Sequence, residues 1–310
     1  MPKKVYEMKM TSLNNSKGFT LIELMLAMVI GLMVLAGATY TYTKQSDVIR
    51  QGNQESQTRG MARLILDDMV REIRRAGMGM PPGDSTAVTW DTAASAFVSD
   101  PVKQAQHGIT NADTTTLTYE ANTDNLFTYI ALDSLSTDTK IVVSKNTNLG
   151  TDGFKEGDKV VFFDTEKPWV YNTLVIKSIL TAPFIVFDWA GNPNKFKAEP
   201  NDNGVAVVVQ NYHTITYTYN AGAETITVTD DMGTAVNTDD TTTVIASNVT
   251  NMVFTYFPTT GATAYTVLPL AGNDLALMRR MNISITVRDR VEDTVTQTYD
   301  TDIVLRNLGT

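Results

Sequence analysis

One acid set inside an apolar tract constrains this chain more than any other feature. Lys17-Gly18-Phe19-Thr20-Leu21-Ile22-Glu23 opens a run that reaches Tyr42, and from Phe19 onward Glu23 is its only formally charged side chain. The 24 residues from Phe19 to Tyr42 would make roughly 36 Å of helix, enough to cross a hydrocarbon core of ~30 Å. Gly31 and Gly37 do not argue against this, because membrane helices accept glycine more readily than soluble ones. The preceding residues carry Lys3, Lys4, Lys9 and Lys17 against Glu7. Such a basic flank stays on the cytoplasmic side and sends the rest of the chain outward.

A secretory signal peptide is the competing reading, with Ala36-Gly37-Ala38 as its cleavage site. Two features oppose it. The acid stands inside the apolar tract, and polar, helix-compatible sequence continues from Thr43 without a break.

A carboxylate in lipid costs about 2.5–3.5 kcal/mol near the membrane centre and less toward the edge, so it needs a partner. If the chain were cut after Gly18, the new α-amine of Phe19 would lie one helical turn from Glu23. The same amine would equally reach Glu23 of a neighbouring copy. In a bundle of such helices, a carboxylate–amine pair selects one axial stagger. The plain alternative is a side chain that snorkels to the membrane edge.

Gly18-Phe19-Thr20-Leu21-Ile22-Glu23-Leu24 resembles the class III leader of type IV prepilins and pseudopilins at every position of its cleavage box. The resemblance implies a prepilin peptidase that cuts between Gly18 and Phe19 and methylates the Phe19 amine. It further implies that Phe19 and Glu23 serve filament assembly. The implied fold is α+β and type IV pilin-like: a long N-terminal helical spine, membrane-spanning in its first half, carrying a large antiparallel β-rich head. The expected organisation is a leader over 1–18, a membrane and filament-core helix over 19–43, an amphipathic continuation over 44–76, and an extracytoplasmic head over 77–310, built from one large or two packed sheets.

Beyond the tract, Met61, Leu64, Ile65, Met69, Ile73 and Ala76 fall mostly at three- and four-residue steps and predict one apolar stripe. Asp67 and Arg71 are spaced to pair across a turn. Gly52 and Gly60 are the expected weak points of the spine. Gly77, Gly79 and Pro81-Pro82-Gly83 end it.

From Ser85 onward the texture changes to short β-branched or alternating runs. Strands are expected at 115–120, 126–130, 140–143, 159–164, 170–176, 184–188, 205–210, 214–219, 224–229, 249–257, 282–288 and 295–305. Thr214–Tyr219 and Glu224–Val228 flank Asn220-Ala221-Gly222 as a hairpin. Residues 103–110 and 191–204 read as surface excursions. Tyr212, Tyr217, Tyr219, Phe254, Tyr256 and Phe257 recur at spacings that favour a core face.

Met61 to Gly79, Met278 to Val287 and Val304-Leu305-Arg306-Asn307 resemble the helix end and closing strands of PilW-type minor pilins. The J-type pseudopilins of type II secretion share the plan. These resemblances imply a minor pilin that initiates or caps a filament. Its partners would be major and minor pilins, the prepilin peptidase, the inner-membrane assembly platform, the lipid bilayer before assembly, and a tip adhesin. It would sit in a bacterial inner membrane with its head in the periplasm, then in a pilus or pseudopilus. An exported binding module or enzyme on an uncut anchor is the rival from a different class.

Little in the sequence speaks for catalysis. There is no glycine-rich dinucleotide loop, Walker loop or nucleophile elbow, and the expectation is a non-enzymatic protein without cofactor. There is no cysteine and only two histidines, His107 and His213, and no ligand spacing supports a zinc set. Asp152, Glu156 and Asp158, and separately Asp230, Asp231, Asp239 and Asp240, carry a calcium candidacy because loop carboxylates suit that ion. Neither group matches an EF-hand, and solvated turn acids are the competing reading. The net charge is −9, and loss of the +3 leader takes it to about −12, which counts against nucleic-acid binding. Without a disulfide, the head depends on its core and its polar contacts.

Overall fold

A computed structural model describes residues 18–81, 88–91, 96–99, 108–130, 140–142, 153–164, 171–179, 184–187, 207–258, 263–271, 273–288 and 296–305. The chain divides into two compact units, Met1–Glu55 and Ser56–Thr310. A single helix, α1 (Leu21–Ile73), supplies the described structure of the first unit and opens the second. It is helical at Gly52 and at Gly60, with no melted turn at either.

In the second unit the helix buries Ala62, Leu66, Met69 and Ile73, and Ala76 follows in the next turn. The steps of four, three, four and three keep one face toward the core. The expected stripe was partly misplaced: Met61 is 65% and Leu64 70% exposed. Each lies too far around the helix to share that face, and alanine at 62 takes the close-packed position instead. Arg71 pairs with Asp68 and, at 3.5 Å, with Glu72, rather than with Asp67. After Ile73 the chain tightens, with Arg75 N–H donating to Glu72 O (2.9 Å) and Ala76 N–H to Ile73 O (3.0 Å). Gly77 and Gly79 then take φ of +76° each. At Gly79 a β-carbon would meet Gln210 Oε1 at 2.2 Å and Asn122 Cβ at 2.8 Å, so the turn requires glycine there.

The strands are β1 (Val88–Asp91), β2 (Ala96–Ser99), β3 (Ile109–Ala112), β4 (Thr116–Ala121), β5 (Phe127–Tyr129) and β6 (Lys140–Val142). Then come β7 (Lys159–Asp164), β8 (Tyr171–Ile179), β9 (Phe184–Phe187), β10 (Val207–Asn211), β11 (His213–Asn220) and β12 (Thr225–Asp230). The last are β13 (Thr241–Ser247), β14 (Val249–Pro258), the short helix α2 (Asn273–Leu277), β15 (Met278–Arg288) and β16 (Thr296–Val304). Among the described residues they form four antiparallel sheets, ordered β1-β2, β5-β10-β7-β8-β9-β6, β13-β12-β11-β4-β3 and β14-β15-β16. One or two sheets were expected. The additional division follows hydrogen-bonding breaks such as Tyr212, the single residue between β10 and β11, where the chain leaves one sheet and enters the next.

The hairpin at Asn220 forms as anticipated, with Ile215 opposite Asp230 and Asn220 opposite Thr225. Asn220 Oδ1 accepts from Gly222 N–H (3.0 Å) and Ala223 N–H (3.1 Å), which fixes the turn. The excursion expected at 103–110 is in part a strand. Ile109 is buried and begins β3, because its side chain faces the core while its backbone pairs with β4. Residues 103–107 and 191–204 lie outside the described residues.

The main core of the second unit joins the helix stripe to Leu117 and Tyr119 of β4, Tyr217 of β11, Phe254 and Tyr256 of β14, and Ile283 and Ile285 of β15. Strand alternation produces it: β11 is buried at every second residue from His213 to Tyr219. Burying each such large side chain contributes about 1.5–3 kcal/mol. Tyr212, Tyr217, Tyr219, Phe254 and Tyr256 go inside as expected, whereas Phe257 falls on the other face of β14 and is half-buried under Arg280. Tyr256 donates its hydroxyl to Asp113 O (2.8 Å) and Tyr219 to Val249 O (3.1 Å), so burial leaves neither of these polar tips unserved. In β7, Val160 and Phe162 pack on one face and Val161 and Phe163 on the other, so both faces of that strand are covered.

Candidate functional site

Thr20 and Glu23 build the start of α1. Thr20 N–H and its hydroxyl both donate to Glu23 Oε2 at 3.0 Å, and Glu23 N–H donates to Thr20 Oγ1 at 3.3 Å. This is a reciprocal capping box, which satisfies amides that the first helical turn leaves without partners. The spacing Thr20-x-x-Glu23 fits such a box, which gives Glu23 a local duty that the sequence analysis does not include. Gly18 and Phe19 precede the helix and are exposed, Phe19 to 86%.

From Leu21 the helix is long and apolar enough to cross a membrane, and its most apolar window is not buried at all. The large side chains Leu24, Met28, Leu32 and Leu35 are all exposed. Three threonine hydroxyls at the end of this tract bond within the helix. Thr39 Oγ1 donates to Leu35 O (2.8 Å), Thr41 Oγ1 to Gly37 O (2.9 Å) and Thr43 Oγ1 to Tyr40 O (2.9 Å). Such internal satisfaction is what a non-aqueous surrounding demands of polar groups.

The carboxylates considered for calcium sit differently from one another. Asp158 is buried, and its Oδ2 accepts the Lys155 amide at 2.7 Å. Burial pushes its carboxyl upward, against the opposing pull of Lys155. Glu156 is an exposed turn residue, and Asp152 lies outside the described residues. Asp239 accepts the Thr234 hydroxyl at 2.9 Å, and Asp240 is exposed. His107 lies outside the described residues.

A different group gathers where β10 passes into β11. His213 is 3% exposed. Its Nδ1 lies 2.8 Å from Asp230 Oδ1 and its Nε2 3.1 Å from Asp124 Oδ2. His213, Asp230 and Asp231 each bring one potential ligand atom within 4.8 Å of the others. Asp231 is otherwise engaged: Oδ1 accepts Thr214 N–H (2.8 Å) and Gly233 N–H (3.0 Å), and Oδ2 accepts the Lys159 ammonium. Lys159 also donates to Thr214 Oγ1 at 2.6 Å and lies over the Tyr212 ring. Burial alone would push the His213 imidazole downward, but Asp230 and Asp124 together outweigh it and the net direction is up. Asp230 is raised by burial yet held below the usual carboxylate range on balance, chiefly by His213. Asp124 was not singled out from the sequence, because it lies 89 residues from His213 in the chain.

The family model for the prokaryotic N-terminal methylation motif matches residues 13–39. That segment spans Gly18, Phe19, Glu23 and most of the exposed apolar helix. The match supports a type IV prepilin-like leader and a protein of the type IV pilin or pseudopilin type, and suggests a structural, non-enzymatic role. A protein of that type associates with other pilins and their machinery. The leader and apolar helix fit anchoring in an inner membrane and later incorporation into a pilus. No curated protein and no solved structure matches the chain.

Proposed function

We propose that the chain is a minor type IV pilin of the PilW kind, which helps initiate or cap a filament. Residues 1–18 are the leader, removed by a prepilin peptidase between Gly18 and Phe19, with methylation of the new Phe19 amine. Residues 19–43 cross the inner membrane once and later pack in the filament core. Residues 44–76 continue the spine, and 77–310 form a periplasmic head that meets neighbouring major and minor pilins.

The observation that carries this reading is an acid on the first turn of a helix whose apolar opening stretch is exposed. Cleavage before Phe19 leaves the Thr20–Glu23 box in place and creates a cation next to it. Glu23 then gains an ammonium partner beside the Thr20 amide, its own or that of an adjacent subunit. An ammonium adds Coulombic attraction to the carboxylate, and that attraction strengthens away from water. Only one axial stagger between neighbouring subunits forms it.

Mass spectrometry of the protein from sheared filaments and from membranes tests the reading. A chain beginning at Phe19 and carrying one methyl group is the expected result. A chain that begins at Met1 in both fractions would point instead to a simple anchor.

A further inference from the structure

We propose that Lys159 and Asp231 join in an intramolecular amide cross-link, with Glu120 carrying the protons and two backbone amides steadying the reacting carboxyl. The Lys159 ammonium already rests on Asp231 Oδ2, and the two side chains are only 15% and 19% exposed. The two carboxyl oxygens are placed differently. Oδ1 accepts Thr214 N–H at 2.8 Å and Gly233 N–H at 3.0 Å, whereas Oδ2 faces the amine. Two backbone donors on one oxygen are what the negative charge of a tetrahedral intermediate requires. The other oxygen is positioned to leave.

The backbone holds both partners in place. Lys159 N–H donates to Gly233 O at 2.7 Å, and Tyr212 N–H donates to Lys159 O at 3.2 Å. Amine and carboxyl therefore meet before any reaction, which removes the entropic part of the barrier. The Tyr212 ring, with its centroid 4.6 Å from Lys159 Nζ, covers one side of the amine.

Glu120 supplies the acid. It stands opposite Thr214 in the β4–β11 register, so the two side chains share a face with their β-carbons roughly 4.5–5.5 Å apart. Lys159 Nζ donates to Thr214 Oγ1 at 2.6 Å, which brings the amine to the same place. Burial pushes the Glu120 carboxyl up; Lys159 opposes that push, Asp231 adds to it, and the net direction is up. A carboxyl that keeps its proton can give it to one group and recover another from a second.

The reaction balances within these groups. The Nζ–Cγ bond forms and the Cγ–Oδ2 bond breaks. Two of the three ammonium protons leave Nζ, and both depart with Oδ2 as water. Glu120 gives a proton to Oδ2 and takes one from Nζ in each transfer, so it ends as it began. Nothing is oxidised or reduced. Two charges held mostly away from solvent are exchanged for a neutral amide, which ends the cost of keeping them desolvated. Lys159 opens β7 of the six-stranded sheet, and Asp231 follows β12 of the five-stranded sheet, 72 residues further on. The bond ties the two sheets together in a chain without cysteine.

The test is the intact mass of the full chain purified in detergent, with its N-terminus and any methyl group determined first. The folded parent should be lighter than its sequence by one water, and proteolysis should release a branched peptide joining Lys159 to Asp231. Lys159→Arg keeps the ion pair but cannot form this amide; it should show the full mass and melt at a lower temperature. Glu120→Gln, with folding checked by circular dichroism, should close the bond roughly a hundredfold more slowly. Full mass and no branched peptide in the folded parent would mean an ordinary ion pair and overturn the proposal. A Glu120→Gln chain that closes as fast as the parent would overturn the part given to Glu120.

Discussion

Between Leu21 and Tyr42, α1 is almost wholly apolar and wholly exposed; between Ala62 and Ile73 it is richly charged, yet one face is buried. The same backbone geometry thus serves two solvents. In the second stretch, spacing does the work: side chains at 62, 66, 69 and 73 share a face and meet β-strand side chains that alternate toward them. In the first stretch, side chains all around the helix are apolar, and none is sequestered by its own chain. A helix apolar on every side is one whose neighbours are lipid or other helices. Amino-acid composition alone would have ranked burial in the opposite order.

The strongest way to break this comparison is a core truncation in each stretch. Met69→Ala should cost about 3 kcal/mol in denaturant unfolding of the head, because its fully buried side chain leaves a cavity. Leu32→Ala, at an exposed position, should leave head unfolding within about 0.5 kcal/mol. Equal losses would erase the distinction. Next in size is Gly79→Ala, at φ +76° and against Asn122 Cβ, for which about 1–3 kcal/mol of destabilisation is expected in the same assay. It tests whether the helix must end at that turn.

The comparison sharpens within the second stretch itself. Met61→Ala and Leu64→Ala should each change stability by no more than about 0.5 kcal/mol, although both residues are more apolar than Ala62. The smallest effect concerns charge. The Asp158 carboxyl is raised by burial in the folded state, so folding favours its protonated form. The parent therefore loses a little stability as pH rises through the unfolded value of about 3.9 and beyond. Asp158→Asn should match the parent near pH 3 and melt slightly higher at pH 7, with its side-chain oxygen still accepting from Lys155 N–H. A variant that melts lower at pH 7 would contradict that sign.

Periodicity made some of this legible in advance. Lys159–Asp164 was bounded correctly because an apolar run between polar residues is hard to read otherwise, and the Asn220 hairpin because its turn chemistry is local. β13 was missed because Thr241, Thr242, Thr243 and Val244 are all exposed, so no alternation marks them. The helix stripe was displaced because Met61 and Leu64 drew attention by apolarity, whereas geometry selects Ala62 and Leu66. The Thr20–Glu23 box lay in plain view, yet a residue under strong functional suspicion hid its local duty. Asp124 was invisible for another reason: it meets His213 only through folding, across 89 residues of chain.

That local duty also defines the most direct test of the central claim, that the charge of Glu23 sets how subunits assemble. Glu23→Gln keeps an oxygen for the Thr20 amide and hydroxyl but removes the charge, while Thr20→Ala disrupts the cap and keeps the charge. Incorporation of each into sheared filaments, measured against the amount in membranes, separates the two roles. Glu23→Gln should fall at least tenfold, with Thr20→Ala within about twofold to threefold of the parent. If Glu23→Gln enters filaments as well as the parent while Thr20→Ala does not, Glu23 is a helix cap and the stagger-setting pair is refuted.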